Sequence, residues 1–429
     1  MLSSYLFTRE SGLTNPRELR SAQLSRQYST LVLSDKRYFP TRHSGTVNAL
    51  AVDHVANRYM ISGGSDSRIS IWDLNSREGL RHRYEIVAGI PPKKGHKYGI
   101  SGISWWPFDN GMFITGSFDE TIKVWDTEAL EEVYKFELGA RVNAHDISSA
   151  AEHCLVACAA DYTAIRLVDL RSSGAAQMLS SHEGATVNSI KWSPTDPFML
   201  ASGGSDGTVR LWDIRRSDAC LTVLNLENTI GKGVIGSVSN DSSLRTESFS
   251  SSSTAAFSQV KSHRGVVNGL VWLENGKKLV STGTDEMIRV WDLTPPFTRD
   301  TNTLVNFGPL VRNRYLQCIN LVLSPVRDCI PQLLFFPSDT GDILVFQVLT
   351  GVLVRRLAAS LNTRKRTCGL ACRGSEYVEL FSGNSDGDII LWEAEQSSAR
   401  MPHEQKYAAN LPPKNILTEI YKGLEMEFN

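Results

Sequence analysis

No run of about 18 apolar residues occurs anywhere in the 429-residue chain, so the sequence offers no membrane-spanning helix. Cysteine is sparse: seven, an odd number at irregular spacing. That pattern argues against a disulfide framework and points to a reducing compartment, cytosol or nucleus. Net charge is close to zero, with 45 Lys and Arg against 46 Asp and Glu. There is thus no global field to hold nucleic acid, and direct DNA binding over a broad surface is not expected. The N-terminus lacks the cationic start and apolar core of a secretory signal. There is no Gly-rich phosphate loop and no dinucleotide fingerprint.

What the chain does contain is a repeat. The stretch Ser202-Gly203-Gly204-Ser205-Asp206-Gly207-Thr208-Val209-Arg210-Leu211-Trp212-Asp213 reads as two short strands around a tight Asp-Gly turn. Alternation of Val209 and Leu211 with Thr208, Arg210 and Trp212 predicts a half-buried strand. The same spacing of hydroxyl, Asp and Trp recurs as Ser62/Asp66/Trp72 and Thr115/Asp119/Trp125, then as Ser281/Asp285/Trp291 and Ser382/Asp386/Trp392. Two degenerate copies place Val168 and Phe346 where Trp is expected. The closer-spaced anchors match the ~40–45 residues of a Trp-Asp repeat blade, and the longer gaps mark loop insertions. Seven copies predict an all-β fold, a seven-bladed WD40 β-propeller over residues 29–396.

Three segments stand outside the repeats. Residues 1–28 predict a helix-loop-helix. Leu2, Leu6 and Phe7 line one face of the first helix, and Ser11-Gly12 ends it. Asn15, Pro16 and Glu18 supply an N-cap, a first-turn proline and a capping-box partner for the second, which runs through about Gln27. Such helices either lie against their own domain or dock on another protein. Residues 29–34 predict a strand that pairs with the strand around Trp392 and closes the ring. A serine-rich insertion at about 230–260 is expected to be disordered, either a phosphorylation-tunable loop or an idle insertion. The tail 397–429 carries Ile416, Ile420, Tyr421 and Leu424 at the spacing of a short amphipathic helix.

Several residues imitate chemistry. His182, Ser202 and Asp206 invite comparison with a hydrolytic triad. His43, His96 and His263 begin equivalent sets, and repeating a catalytic triad around one ring makes no sense. A hydrogen-bond network in each blade does: His182, Ser202, Asp206 and Trp212 form one predicted structural tetrad, and His263, Ser281, Asp285 and Trp291 another. Cys154/Cys158 and Cys368/Cys372 lack the four-ligand clustering of a zinc site and read as packing. No catalytic residue, metal site or cofactor is expected.

Trp212-Asp213-Ile214-Arg215-Arg216 resembles the ending by which many propellers dock on the large subunit of the damaged-DNA-binding complex, the adaptor of a cullin–RING ubiquitin ligase. Val168-Asp169-Leu170-Arg171 is a degenerate second copy. With the N-terminal segment, the chain resembles the Cockayne syndrome A protein family. Ser11-Gly12-Leu13, Pro16, Leu19-Arg20, Gly111-Met112-Phe113 and His153-Cys154-Leu155 carry the likeness, with residues 58–66, 118–127, 211–216 and 302–308. It extends from residue 1 to about 395 and fails in the serine-rich loop and the tail. The resemblance implies a non-catalytic substrate receptor in the nucleus, acting in transcription-coupled nucleotide excision repair. Its implied partners are the adaptor, the cullin–RING module through it, the Cockayne syndrome B remodeller and stalled RNA polymerase II. Leu2, Leu6, Leu13, Leu19, Arg20, Asp213, Arg215 and Arg216 are the residues it implies at the adaptor. The competing expectation is a chromatin or RNA-processing scaffold unrelated to ubiquitin ligases.

Overall fold

The computed structural model describes residues 16–395 except 79–81, 93, 151–152, 173, 181, 183, 217–218, 228–259, 295–300, 326–328, 330, 359–364 and 375–376. The serine-rich insertion and the predicted tail helix therefore lie outside the described residues, and so does the first predicted helix. Glu395–Asn429 form a separate unit, of which only Glu395 is described.

Met1–Ala394 form one unit, whose described strands make seven sheets, antiparallel but for one edge pair. Blades 1 to 6 span residues 47–90, 100–137, 142–180, 187–223, 267–302 and 322–357 in chain order. Blade 7 takes three strands from 367–394, and Leu31–Leu33 supply its fourth. Leu31 lies opposite Ala394 and Leu33 opposite Trp392, antiparallel, so the ring closes with a strand from its own N-terminal end. The innermost strands pack side by side around a central cavity of about 570 Å³, except between blades 5 and 6, where the Ile319 amide, just before blade 6's inner strand, donates to the Asn268 carbonyl (2.8 Å).

The strand Val209–Asp213 departs from the sequence expectation. Val209, Arg210, Leu211 and Trp212 are all buried, so alternation does not translate into one wet face. Neighbouring blades cover both faces of a middle strand, and Met199–Gly204 beside it is buried throughout. Arg210 survives burial because its guanidinium bonds Thr208 Oγ1 (3.2 Å) and lies 3.6 Å from Asp206. Blade 1 carries a fifth strand that the repeat pattern does not show: Arg37–Tyr38 run parallel to the start of His82–Ile90 and cover that edge.

The core is a series of apolar seams between blades. At the closing seam Phe39 meets Trp72 edge-on and stacks on Tyr84, beside Phe381 of blade 7. One helix, α1 (Pro16–Ser29), leads into the closing strand. It extends two residues past the predicted end. Tyr28 near its end is 1% exposed, packed with Leu31, Phe335 and Trp392. Burying such a side chain contributes roughly 1.5–3 kcal/mol and anchors the helix end to blades 6 and 7.

Candidate functional site

The four His-containing sets are formed, and the distances explain why they are structural. In blade 4, Trp212 Nε1 donates to Ser202 Oγ (2.8 Å), His182 Nε2 bonds the same hydroxyl (2.9 Å), and His182 Nδ1 bonds Asp206 (3.4 Å). Asp206 also accepts from the amide of Thr208. Blade 5 repeats this with His263, Ser281, Asp285 and Trp291 at 2.7, 3.0 and 2.8 Å. His43 and His96 head the same arrangement in blades 1 and 2. The hydroxyl is fully buried and holds an indole, leaving no room for a substrate carbonyl.

Burial sets the protonation states. It pushes the imidazoles of His182 and His263 below their usual range, so they are neutral. Burial alone raises the Asp206 and Asp285 carboxyls, but hydrogen bonds from the paired histidines and nearby amides outweigh it, holding both well below the usual carboxylate range. The Asp206-Gly207 turn brings Gly207 (φ +81°) close to blade 5. A Cβ there would lie 2.4 Å from the His263 carbonyl, so the turn requires glycine.

The second candidate lies at the other end of the same strand. Arg215 Nε and Nη2 donate to the two oxygens of Asp213 (2.9 and 2.8 Å), and the Arg215 amide donates as well (3.0 Å). The guanidinium lies 4.7 Å from the Phe198 ring centroid, and the Arg215 side chain is 56% exposed. Asp213 is held below its ordinary range chiefly by the Arg215 hydrogen bond. A cation on this aspartate is itself a blade feature: Arg58 pairs with Asp73 and Lys278 with Asp292. What sets Arg215 apart is that its cation comes from the turn beyond the strand; like Arg58, it stays accessible. Arg216 is exposed next to it. In blade 3 the Arg171 amide bonds Asp169 (2.8 Å), the same turn without the Trp.

Strand direction places α1 relative to this turn. The third strands of all blades end on one face, and the closing strand Leu31–Leu33, antiparallel to Ile389–Ala394, begins there. The end of α1 and the Asp213–Arg215 pair thus share a face, α1 against blades 6 and 7 and the pair in blade 4. No contact joins them among the described residues. Arg20 is exposed on α1. Leu19 lies within α1. Leu2, Leu6 and Leu13 fall outside the described residues.

One set of positions was not read from the sequence. The dipeptide Val-Asn opens four innermost strands, at Val47, Val142, Val187 and Val267. Asn48 Nδ2 donates to the Ile100 carbonyl of the next blade (2.8 Å) and Asn143 Nδ2 to Val187 (3.1 Å). The signal was the recurrence of an amide at one register position, hidden because these strands lie outside the spaced hydroxyl–Asp–Trp pattern even where, at Trp192 and Trp272, they end in Trp.

The model of the family described as WD domain, G-beta repeat matches residues 36–73, 90–126, 175–213 and 256–292. The WD repeat-containing protein ATCSA-1 of Arabidopsis thaliana is 30% identical over 437 residues, covering 90% of this chain and 93% of that protein. Radiation-sensitive protein 28 of Saccharomyces cerevisiae is 33% identical over 208 residues, 47% of this chain and 39% of that protein. The ribosome biogenesis protein WDR12 homolog of Drosophila mojavensis is 30% identical over 187 residues, 42% of this chain and 43% of that protein.

Proposed function

The chain belongs to the WD repeat family, and from that premise we propose that it is the substrate-recognition subunit of a cullin–RING ubiquitin ligase. In this reading it docks on the large subunit of the damaged-DNA-binding complex and acts in the nucleus, in transcription-coupled nucleotide excision repair. The observation that carries the reading is the exposed Arg215, oriented by Asp213 and Phe198 on the face from which α1 emerges. A guanidinium held in that way offers a planar pair of donors to a carboxylate or carbonyl, which lysine could not reproduce. The names of two relatives support the repair context: ATCSA-1, similar over nearly its whole length, and a radiation-sensitive protein of yeast.

The chain's chemical contribution is proximity. A rigid propeller holds acceptor lysines of a bound protein near a charged conjugating enzyme carried by the RING partner. The Cockayne syndrome B remodeller and the stalled RNA polymerase II machinery are the proposed cargo. A second reading, a scaffold in ribosome or RNA processing, draws on the WDR12 homologs, which match less than half of this chain. Co-purification separates the two. The ligase reading expects the adaptor to be retained by the full chain and lost on deletion of residues 1–27. Retention of ribosome-assembly factors without the adaptor supports the other.

A further inference from the structure

The central cavity is closed at one end by the chain itself. On the face where the innermost strands begin, residues 313–317 cross its mouth. Asn268 of blade 5 donates to the Tyr315 carbonyl (2.8 Å), and Gln317 donates to Asn48 of blade 1 and accepts from Arg366 of blade 7, both at 3.3 Å. The opposite end is lined by residues just past the strand ends. Pro107, Pro194 and Pro325 each lie two positions beyond their strand. A chamber of about 570 Å³ with one end blocked has the dimensions of a small-molecule site.

Apolar side chains make most of its wall, and one ion pair among the described residues faces inward. Lys191 Nζ of blade 4 donates to Asp146 Oδ1 of blade 3 (2.8 Å). Strand register sets both at one level of the ring. At that level the other five blades carry Ala51, Ser104, Val271, Val322 and Ala371. One level nearer the blocked end stand Ala49, Gly102 and Ala144, whose small size leaves room behind the pair.

The pair has bonding capacity to spare. Lys191 makes no second hydrogen bond among the described residues, and its side chain, 35% exposed, faces the chamber it lines. Burial alone pulls its pKa down, but the charge and hydrogen bond of Asp146 outweigh that, so it stays an ammonium with two further N–H groups to give. Asp146 accepts from Lys191 through Oδ1 and from the Trp192 amide through Oδ2 (2.7 Å), which leaves a lone pair on each oxygen. The other titratable groups around the pair are neutral. Burial lowers the imidazoles of His54 and His145 and raises the Cys318 thiol to about 11. Glu274 stands at the rim.

A fixed cation beside a fixed anion has no net charge. A ligand bearing one charge would leave the desolvated chamber charged, which is costly, whereas a ligand bearing both cancels it. We propose that the chamber binds a small zwitterion with an apolar body, an apolar α-amino acid, its carboxylate on Lys191 and its ammonium on Asp146. The inference goes beyond the ligase reading and does not depend on it.

The test is isothermal titration calorimetry of the full chain with L-phenylalanine. Hydrocinnamate, which lacks the ammonium, and phenethylamine, which lacks the carboxylate, are the comparisons. The proposal expects L-phenylalanine to bind and each comparison to bind about tenfold more weakly or worse. Ala51→Phe fills the chamber at the level of the pair and leaves both charges matched. Lys191→Met with Asp146→Asn removes both charges together, so that neither is left buried alone. Each variant should lose about tenfold or more in affinity. Melting temperatures check that they fold, and Ala51→Phe decides if the double variant does not. The proposal is overturned if L-phenylalanine does not bind, if either comparison binds as tightly, or if a folded variant binds like wild type.

Discussion

Leu33 sits directly opposite Trp392, joining the first described strand of the chain to the last. Beside that pair, Arg37 reaches Glu393 through Nε (3.1 Å), bonds Glu379 and donates to the Tyr84 hydroxyl (3.1 Å). One guanidinium therefore ties the closing strand's exit to blades 1 and 7. Removing one member of a largely buried ion cluster leaves the others uncompensated. Arg37→Ala is expected to lower stability by on the order of 3 kcal/mol. Arg37→Lys should recover only part of this, because an ammonium cannot serve both carboxylates and the phenol in one plane. Urea unfolding of the two variants beside wild type checks it, and equal stabilities would contradict the clasp.

The tetrads make a separate prediction. Ser202→Ala leaves the Trp212 indole and the His182 imidazole without their shared partner and should cost about 1–3 kcal/mol. Trp212→Ala removes a fully buried ring and should cost about 3–5 kcal/mol. Calorimetric melting would show both, in that order.

Acidification should destabilise the protein in two stages. His182 and His263 have folded-state pKa values lowered by burial. Their contribution is complete above the unfolded value of about 6.5 and is lost as pH falls below it. Asp206 and Asp285 are depressed too, so theirs is complete above the unfolded value of about 3.9 and is lost as pH falls further. Unfolding free energy measured from pH 7.5 to 4 should decline below about pH 6.5 and more steeply near pH 4. A flat profile down to pH 5 would rule out buried neutral imidazoles.

His145 is the exception among the histidines. It is buried, burial pushes its pKa down to about 3, and its ring makes no well-shaped hydrogen bond, only an approach to the Ile114 backbone that opposes the shift weakly. A buried imidazole so poorly satisfied is costly, so His145→Leu should be neutral or stabilising. It should also remove part of the pH dependence below 6.5. A loss of several kcal/mol in the same unfolding experiment would show that the ring has a partner.

The loop at residues 313–317 gives a fifth expectation. Asn268 is fully buried and serves Asn313 and the Tyr315 carbonyl. Asn268→Ala should cost about 1–3 kcal/mol and speed amide hydrogen exchange over residues 313–317. Unchanged exchange would mean that the loop is held without it.

The repeat was legible because its Trp anchors carry a fixed spacing, and even the degenerate blades ending at Val168 and Phe346 fell where that spacing placed them. The closing strand was legible because the seventh copy lacked an outer strand. Burial of residues 209–212 on both faces was not, since one strand's alternation says nothing about the blade stacked against it. The loop over 303–321 was missed for a related reason. Blade 5's outer strand is only Thr301–Asn302 and blade 6's inner strand only Val322–Leu323. The chain between them follows tertiary contacts with Asn268 and Phe346 instead of a local period. Asp213 and Arg215 could be named from sequence, but not the stacking on Phe198, which comes from the neighbouring strand's turn.

The adaptor's dissociation constant, measured by titrating it against wild type and Arg215→Ala, tests the account's central claim most directly. The side chain is exposed, so the variant should melt like wild type. The account predicts tight binding by wild type and at least tenfold weaker binding by the variant. Absence of wild-type binding would contradict the ligase reading, and equal affinities would show that Arg215 is not part of the docking site.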